Sequence, residues 1–247
     1  MQQNKISILS TRPLDASLIE EAKHLNIEID VISFIETEPI RSKEVQQEIK
    51  NALLQSSTVV FTSMNAVETV ANELDGQQPD WKIYSIGTTT SKLVKKYFGE
   101  EALAGIANSA AELAELIADD SEDDEVIFFC GDQRRDELPD ILRHSDISVH
   151  EIAVYETVAV PHKVEKHYHA ILFFSPSAVD SFFRNNKIED STVLFAIGNT
   201  TANALKKYSN NKIIISDEPG KENLFRKTLE YFGDVGFIDP ASVSRKS

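Results

Sequence analysis

The sequence predicts an α/β protein built from two doubly wound parallel-sheet domains. Two observations carry this prediction. Apolar, strand-like segments alternate along the chain with segments of helical spacing, and strands that alternate with helices form parallel sheets covered on both faces. In addition, a pattern of strand, glycine, hydroxyl residues and helix occurs twice, and the segments around it repeat in the same order. The chain therefore contains an internal duplication.

The clearest repeat is a turn that follows an apolar run. Residues 194–205 contain the run, then Gly198, two threonines and helical spacing, and residues 83–93 repeat this arrangement around Gly87, 111 positions earlier. Both are typical of a strand, a tight turn and a helix N-terminus. Such a turn directs free backbone N–H groups and the positive end of the helix dipole beyond the strand, which favours an anionic ligand.

Composition limits the possible classes. The 247 residues are 41% hydrophobic and 26% charged, which is ordinary for a soluble α/β protein with one large or two small domains. The net charge of −15 argues against a nucleic-acid partner or a membrane surface, since both need a basic face, but it allows a small anion held by backbone dipoles. The single cysteine, Cys130, excludes an intrachain disulfide and a cysteine-rich metal site. No apolar run reaches the length of a membrane span, and residues 1–5 lead directly into a strand, so we expect a cytoplasmic protein.

The spacing of apolar residues predicts the elements in chain order. Continuous apolar runs or alternation predict strands, and helical spacing with a cap predicts helices. Besides the strands of the glycine repeats, the predicted strands cover 6–10, 27–34, 58–62, 126–130, 147–158 and 212–216. The predicted helices cover about 16–24, 44–54, 109–117 and 222–232, and further helices follow Ser63 and each glycine turn.

Local signals set several of these boundaries. Asp15 is placed to cap the first helix, and Ser109 with Glu112 resembles a capping box for the helix through residue 117. The acidic run 119–125 is expected to be a solvated loop without a site role. Residues from Asp234 onward are expected to form a frayed tail.

The duplication reaches beyond the glycine turns. Residues 171–179 copy 59–67, 112 positions later, and 128–130 copy 8–10, 120 positions later. We call the segment that contains 8–10 A and the segment that contains 59–67 B, and their copies around 128–130 and 171–179 are A′ and B′. Along the chain the segments run in the order A, B, A′, B′. Two pairings are open, because A could form a domain with B in tandem, or B could join A′ while A returns to B′. The exit strands favour the second pairing, since both continue through a Glu-Thr pair to a proline, as two crossings between the same domains would.

Six short motifs resemble one protein family. They are Thr11-Arg12-Pro13, Phe61-Thr62-Ser63 with Ala66-Val67, Gly131 with Arg135 and Leu138, Val154-Tyr155-Glu156-Thr157, Phe174-Ser175-Pro176-Ser177-Ala178-Val179, and Gly198-Asn199-Thr200-Thr201-Ala202. In this order, and over nearly the whole chain, they resemble uroporphyrinogen-III synthase. The resemblance implies two HemD-type domains, one of them discontinuous, joined by a two-stranded linker with the active cleft between them. The implied bounds are 1–34 with 161–247 for one domain, 40–153 for the other, and 35–39 and 154–160 for the linkers.

The resemblance also implies a substrate and a reaction. The substrate is hydroxymethylbilane, a linear tetrapyrrole rich in carboxylates, and the enzyme is a lyase that removes water and closes the ring with the last pyrrole inverted. No metal or organic cofactor is implied, and we expect a monomer. The substrate ionises to an azafulvene unaided and can close to the uninverted isomer, so the protein chiefly has to control geometry.

The candidate site residues lie where strand C-termini meet helix N-termini, the usual ligand crevice of open α/β sheets. The substrate-binding candidates are Arg12, Ser63, Asn65, Gly87, Thr88, Thr90, Arg135, Ser175, Ser177, Gly198, Thr200 and Thr201. Arg12 and Arg135 would add charge-assisted hydrogen bonds, whereas the hydroxyls could equally serve as helix caps. Tyr155, on the second linker strand, is the candidate general acid for the departing hydroxyl, because a phenol is protonated at neutral pH. Its alternative role is that of a packed interdomain aromatic.

Other chemistries find less support in the sequence. Ser63 and Ser175 lack the G-x-S-x-G elbow of hydrolases, and neither glycine turn is a G-x-G-x-x-G or GK[ST] nucleotide loop. The three histidines within 162–169 have only loose metal-ligand spacing, and Cys130 at a strand end is expected to be a small buried hydrophobe. The competing function is a non-catalytic two-lobed module that binds or senses a small molecule.

Overall fold

The computed structural model describes residues 5–120, 124–218 and 220–234. They form two compact units: unit 1 extends to Glu36 and resumes at Ala159, and unit 2 is Thr37–Val158. The strands are β1 (Ile6–Ser10), β2 (Ile27–Val31), β3 (Ile35–Pro39), β4 (Ser57–Phe61), β5 (Trp81–Ile86), β6 (Leu103–Ala107), β7 (Glu125–Gly131), β8 (Ser148–Ala159), β9 (Ala170–Phe173), β10 (Val193–Ala196) and β11 (Ile213–Ile215). The helices are α1 (Ala16–His24), α2 (Lys43–Leu53), α3 (Met64–Leu74), α4 (Thr88–Phe98), α5 (Ala110–Asp120), α6 (Glu137–His144), α7 (Pro176–Asn185), α8 (Asn199–Leu205) and α9 (Lys221–Asp234).

Unit 1 is organised around a five-stranded parallel sheet in the order β2-β1-β9-β10-β11. Every residue of β1, β9 and β10 is buried, and strands of this kind need cover on both faces. Helices α1 and α9 pack on the face that presents Ile8, and α7 and α8 pack on the face that presents Leu9. The sheet is therefore doubly wound.

Unit 2 is organised around a six-stranded sheet in the order β3-β8-β7-β4-β5-β6, parallel from β8 to β6. Helices α2, α3 and α4 pack on the face that presents Val59, and α5 and α6 pack on the face that presents Val60. β3 is a mostly exposed edge strand beside β8. These two strands carry the chain from one unit to the other.

The two sheets share one strand order. Unit 1 contains β2-β1-β9-β10-β11, and the parallel part of unit 2 contains β8-β7-β4-β5-β6, so β1 corresponds to β7 and β9 to β4. Counted along the chain, unit 1 has the doubly wound order 2-1-3-4-5, and the parallel strands of unit 2 have its circular permutation 5-4-1-2-3. The strands therefore pair as A with B′ and B with A′, which is the arrangement that the exit strands favoured, and the predicted fold class is confirmed.

Several predicted elements are corrected by the structure. The predicted strand 27–34 is interrupted before β3, because Phe34 leaves the sheet and lies fully buried in the core. β6 has no predicted counterpart, since Gly105 weakens its strand pattern. A Cβ on that glycine would lie 2.6 Å from Leu116 Cδ2, so the close packing of helix α5 requires it. Asp15 precedes α1, but its side chain makes no capping hydrogen bond and instead pairs with Lys221 over 2.9 Å.

The acidic run is not simply a solvated loop. Asp120 ends α5, accepts a hydrogen bond from Tyr84 and lies 3.5 Å from Lys82 Nζ. Residues 121–123 lie outside the described residues, as does the predicted tail beyond Asp234. In the described part of the chain, no helix is both long and apolar enough to cross a bilayer.

Candidate functional site

The carboxyl edge of the unit 2 sheet gathers several predicted site residues. Ser63 and Asn65 follow β4, Gly87 and Thr88 follow β5, and Arg135 follows β7. β4 and β7 are neighbours in the middle of the sheet, and the direction of the strand order reverses between them. Such a reversal leaves a crevice beyond the strand ends, where ligands bind in open α/β sheets.

A hydrogen bond joins Tyr155 to Ser63 at this point. The Tyr155 hydroxyl donates to Ser63 Oγ over 3.1 Å, and the same oxygen accepts the Asn65 N–H over 3.2 Å as the cap of α3. Ser63 is partly exposed, and the partly buried Tyr155 packs against the core of unit 2. The predicted general acid and a predicted binding residue thus form one hydrogen-bonded group.

Gly131 makes room for the Tyr155 ring. The two residues are register partners of β7 and β8, next to an irregularity in the ladder after Cys130. A Cβ on Gly131 would lie 2.5 Å from Tyr155 Cζ, closer than real side chains approach. In the sequence Gly131 stood out only as part of a motif, although a glycine at a strand end often marks a close approach of this kind.

The turn after β7 presents two arginines that differ in their contacts. Arg134 forms ion pairs with Asp136 and with Glu151 of β8. Burial lowers the pKa of Arg134, but the hydrogen bond to Asp136 and the charge of Glu151 outweigh it, so the pKa is raised. Arg135 is exposed and makes no ion pair with a described residue, which leaves its guanidinium available to an anion.

Unit 1 carries a simpler arrangement at its carboxyl edge. Ser175 follows β9 and caps α7 by accepting a backbone N–H over 3.2 Å, and its hydroxyl oxygen lies 3.1 Å from that of Ser177. Arg12 follows the neighbouring strand β1 and is exposed, without an ion pair to any described residue. By the offset of 120 residues, the position equivalent to Tyr155 is Ile35, so unit 1 has no phenol at this place.

The two glycine turns differ in backbone conformation. Gly87 has φ 76° and ψ 158°, a region that only glycine enters readily. Gly198 has φ −176°, which any residue adopts, and a Cβ there would meet nothing within 4 Å. Both glycines stand directly before a helix, so the predicted order of strand, turn and helix is confirmed for both repeats.

The four threonines of these turns that are predicted site residues comprise an exposed pair and a buried pair. Thr88 and Thr200 are exposed. Thr90 and Thr201 are only 6% and 1% exposed, and Thr201 Oγ1 has no hydrogen-bond partner among the described residues. The buried pair can shape the turns but cannot reach a ligand without a movement of the helix start, so their role in binding stays a prediction.

The other chemical candidates are held in structural contacts. His169 Nδ1 lies 3.0 Å from Ser7 Oγ. Among the described residues, no group of three or more His, Cys, Asp or Glu is placed to hold a metal ion. Cys130 is buried, and burial above all, with the charge of Glu151, raises the pKa of its thiol to about 11. The expectation of a small buried residue is confirmed.

Two clefts of the described chain lie away from these residues. One of about 290 Å³ opens beside Asp124 and His150, at the amino ends of β4 and β7. Another of about 460 Å³ lies in unit 1 beside Lys206 and Tyr208. Neither cleft is lined by a predicted site residue. The candidate hydrogen-bond donors, at the carboxyl ends of the strands, therefore lie outside both clefts.

These features define a class of protein: a duplicated pair of doubly wound α/β units with hydroxyl, amide and guanidinium donors at the carboxyl ends of their strands. The family model for uroporphyrinogen-III synthase HemD matches residues 16–226. The chain belongs to this family, which is the one that its motifs resemble.

Individual relatives agree with the family match. Porphyrin biosynthesis protein HemD of Ruminiclostridium josui is 27% identical over 250 residues, which cover 92% of this chain and 48% of that protein. Uroporphyrinogen-III synthase of Chlorobaculum parvum is 24% identical over 223 residues, which cover 81% and 89%. The chain thus spans about half of the first relative and most of the second. The crystal structure of uroporphyrinogen-III synthetase from Helicobacter pylori 26695 shares the fold, with a TM-score of 0.60 at 17% identity over 92% of this chain and 99% of that one.

Proposed function

We propose that this chain is a uroporphyrinogen-III synthase, a lyase that removes water from hydroxymethylbilane and closes the tetrapyrrole ring with its last pyrrole inverted. The observation that carries the proposal is the family match, which runs through both units from residue 16 to residue 226. We further propose that the protein acts as a cytoplasmic monomer, without a metal, an organic cofactor or a nucleic-acid partner, and with the domain and linker bounds that its motifs imply.

The exposed strand-end donors support recognition of a substrate rich in carboxylates. Arg12 in unit 1 and Arg135 in unit 2 are exposed and form no ion pair with a described residue, and the partly exposed serine and exposed threonine hydroxyls offer neutral donors at the same strand ends. In a chain of net charge −15, such local donors are the groups that can hold an anion. Because the substrate ionises by itself, holding it in one geometry before the unaided closure occurs is sufficient to set the isomer.

Tyr155 supports a role in the loss of water. The hydroxyl that leaves the substrate needs a proton, and a positioned phenol can supply one. Tyr155 places its hydroxyl, as a hydrogen-bond donor, at the carboxyl edge of the unit 2 sheet beside the binding candidate Ser63. We propose it as the proton source of the reaction.

The isomer of the product tests the proposed function. Hydroxymethylbilane is generated in situ with the protein present, and the oxidised porphyrins are separated by chromatography. We expect mainly the type III ring. Type I alone at high protein concentration would contradict the enzyme and favour the non-catalytic module, which could sequester the bilane but has no means of inverting a ring.

A further inference from the structure

We infer that Ser63 is the group that hands the proton to the departing hydroxyl, and that Tyr155 resupplies this proton from behind Ser63. The inference rests on the proposed function and deepens it, since it replaces direct donation by the phenol with a two-residue relay. The observation that carries it is the direction of the hydrogen bonds around Ser63 Oγ.

Both acceptor positions of Ser63 Oγ are occupied. One accepts the Tyr155 hydroxyl hydrogen over 3.1 Å, and the other accepts the Asn65 N–H over 3.2 Å. A serine hydroxyl has two acceptor positions and one hydrogen, so the hydrogen of Ser63 must point away from both partners. Ser63 is partly exposed where β4 ends, and no residue in the described part of the chain accepts its hydrogen, which is therefore available to a ligand.

Tyr155 is committed to Ser63. Its ring lies against Gly131, where there is no room even for a methyl group, and it packs on the core of unit 2. Its only hydroxyl hydrogen is engaged in the bond to Ser63. Direct donation from Tyr155 to the substrate would break its hydrogen bond to Ser63. Donation through Ser63 keeps that bond, because Ser63 gives its own hydrogen to the substrate and receives the hydrogen of Tyr155.

The relay balances in protons and electrons. As the C–O bond of the hydroxymethyl group breaks, its electron pair stays on the oxygen, which takes the Ser63 hydrogen and leaves as water. Ser63 Oγ takes the Tyr155 hydrogen in the same step, so a phenolate faces the azafulvenium cation. Ring closure later releases a proton from the attacked pyrrole, and the phenolate takes it back. The N-terminus of α3 stabilises the negative charge that passes over Ser63 Oγ.

A double-mutant cycle separates the relay from direct donation. Ser63→Ala and Tyr155→Phe should each lower kcat by ~10²-fold or more with little change in KM, and the double variant should be no slower than either one. Ser63→Thr keeps the hydroxyl and should restore most of the kcat. A near-normal kcat for Ser63→Ala would overturn the relay, because that variant leaves the Tyr155 hydroxyl free to donate directly. Losses that multiply in the double variant would overturn it as well.

Ser42→Ala is the matched control for the loss of a helix cap. Ser42 caps α2 by accepting the Val45 N–H over 3.2 Å, the same length as the cap bond of Ser63, and it lies outside the candidate site. Its melting temperature should fall about as much as that of Ser63→Ala while kcat stays unchanged. A wild-type protein that forms only the type I ring contradicts the proposed function itself, whereas a wild type that forms type III beside a fully active Ser63→Ala contradicts the relay alone.

Discussion

Cys130 shows how burial limits chemistry at the scale of one residue. Its side chain is 3% exposed, and burial raises the pKa of the thiol to about 11. Only the thiolate reacts quickly with alkylating agents, so we expect no labelling of the native protein by iodoacetamide at pH 8. Labelling should become complete in guanidinium chloride, as measured by mass spectrometry. Rapid labelling of the native protein would contradict the buried position.

Gly131→Ala tests the packing of the neighbouring tyrosine. The added Cβ would lie 2.5 Å from Tyr155 Cζ, so the ring must shift and its bond to Ser63 must lengthen. We expect kcat to fall toward that of Tyr155→Phe, and the free energy of unfolding to fall by about 1–3 kcal/mol, as is usual for overpacking. Kinetics and urea unfolding measure the two effects.

Gly233→Ala is the control for this substitution. Gly233 lies in α9, where a Cβ would meet nothing within 4 Å, and alanine favours a helix over glycine by about 1 kcal/mol. We expect unchanged kcat and a small gain in stability. If the two alanine variants have the same kcat and the same stability, the position of the Tyr155 ring does not depend on the missing side chain of Gly131.

At the scale of elements, a charged contact ties β2 to the segment before β9. Asp30 accepts hydrogen bonds from Lys166 Nζ and from the Tyr168 hydroxyl, both over 2.8 Å. The ordinary pKa of an aspartate is about 3.9. The hydrogen bond from Lys166 above all holds the pKa of Asp30 below that ordinary value. The carboxylate therefore stabilises the fold fully above that value, and the contribution is lost as the pH falls through the lower folded pKa.

Asp30→Asn should lower the free energy of unfolding at pH 7 and flatten its decline below about pH 4, measured by urea titration at several pH values. Asp217→Asn is the control, because Asp217 pairs with Lys227 while 76% of its side chain is exposed, and such surface pairs contribute little. If the free energy of unfolding of Asp30→Asn falls below about pH 4 as steeply as that of the wild type, the ionised Asp30 is not the source of this pH dependence.

The glycine turns give a second test at this scale. Gly87 has a left-handed φ and donates its N–H to Ala107 O of β6 over 2.9 Å, whereas Gly198 is extended. We expect Gly87→Ala to lower the free energy of unfolding by about 1–3 kcal/mol and Gly198→Ala to leave it unchanged, by thermal unfolding. A loss of activity in the Gly198 variant would then report on ligand contact. If both variants lose the same free energy of unfolding, the different backbone conformations of the two turns do not affect stability.

The same turns show what a sequence can and cannot predict about elements. Local periodicity and the duplication were sufficient to predict the α/β fold class and most of the strands, because most strands are apolar runs and several of them have a copy elsewhere in the chain. They were insufficient to predict the strand β6 and the left-handed backbone of Gly87, because the N–H of Gly87 bonds to β6. The contact between Ser63 and Tyr155 spans 92 residues, and only the sheet register brings the two side chains together. The sequence could nominate both residues but could not show which one donates to the other.

At the scale of the whole molecule, the net charge opposes the arrival of the proposed substrate. The chain carries a net charge of −15 and hydroxymethylbilane is a polyanion, so under the proposed function long-range repulsion would slow their encounter, while the proposed contacts of Arg12 and Arg135 would act only at short range. Salt separates the two effects, because the screening length falls from about 30 Å at 0.01 M to about 10 Å at 0.1 M and about 3 Å at 1 M.

We therefore expect kcat/KM to rise between the lowest salt and about 0.1 M, as the repulsion is screened, and to fall toward 1 M, as the contacts of the guanidinium groups weaken. Steady-state rates in sodium chloride measure the profile, and sucrose at equal osmolality should leave kcat/KM without this maximum. Arg135→Gln should lower kcat/KM at 0.1 M and reduce the fall at high salt, since it removes one of the screened contacts. A fall in kcat/KM that begins at the lowest salt would mean that the local cations, and not the charge of the whole chain, govern the encounter.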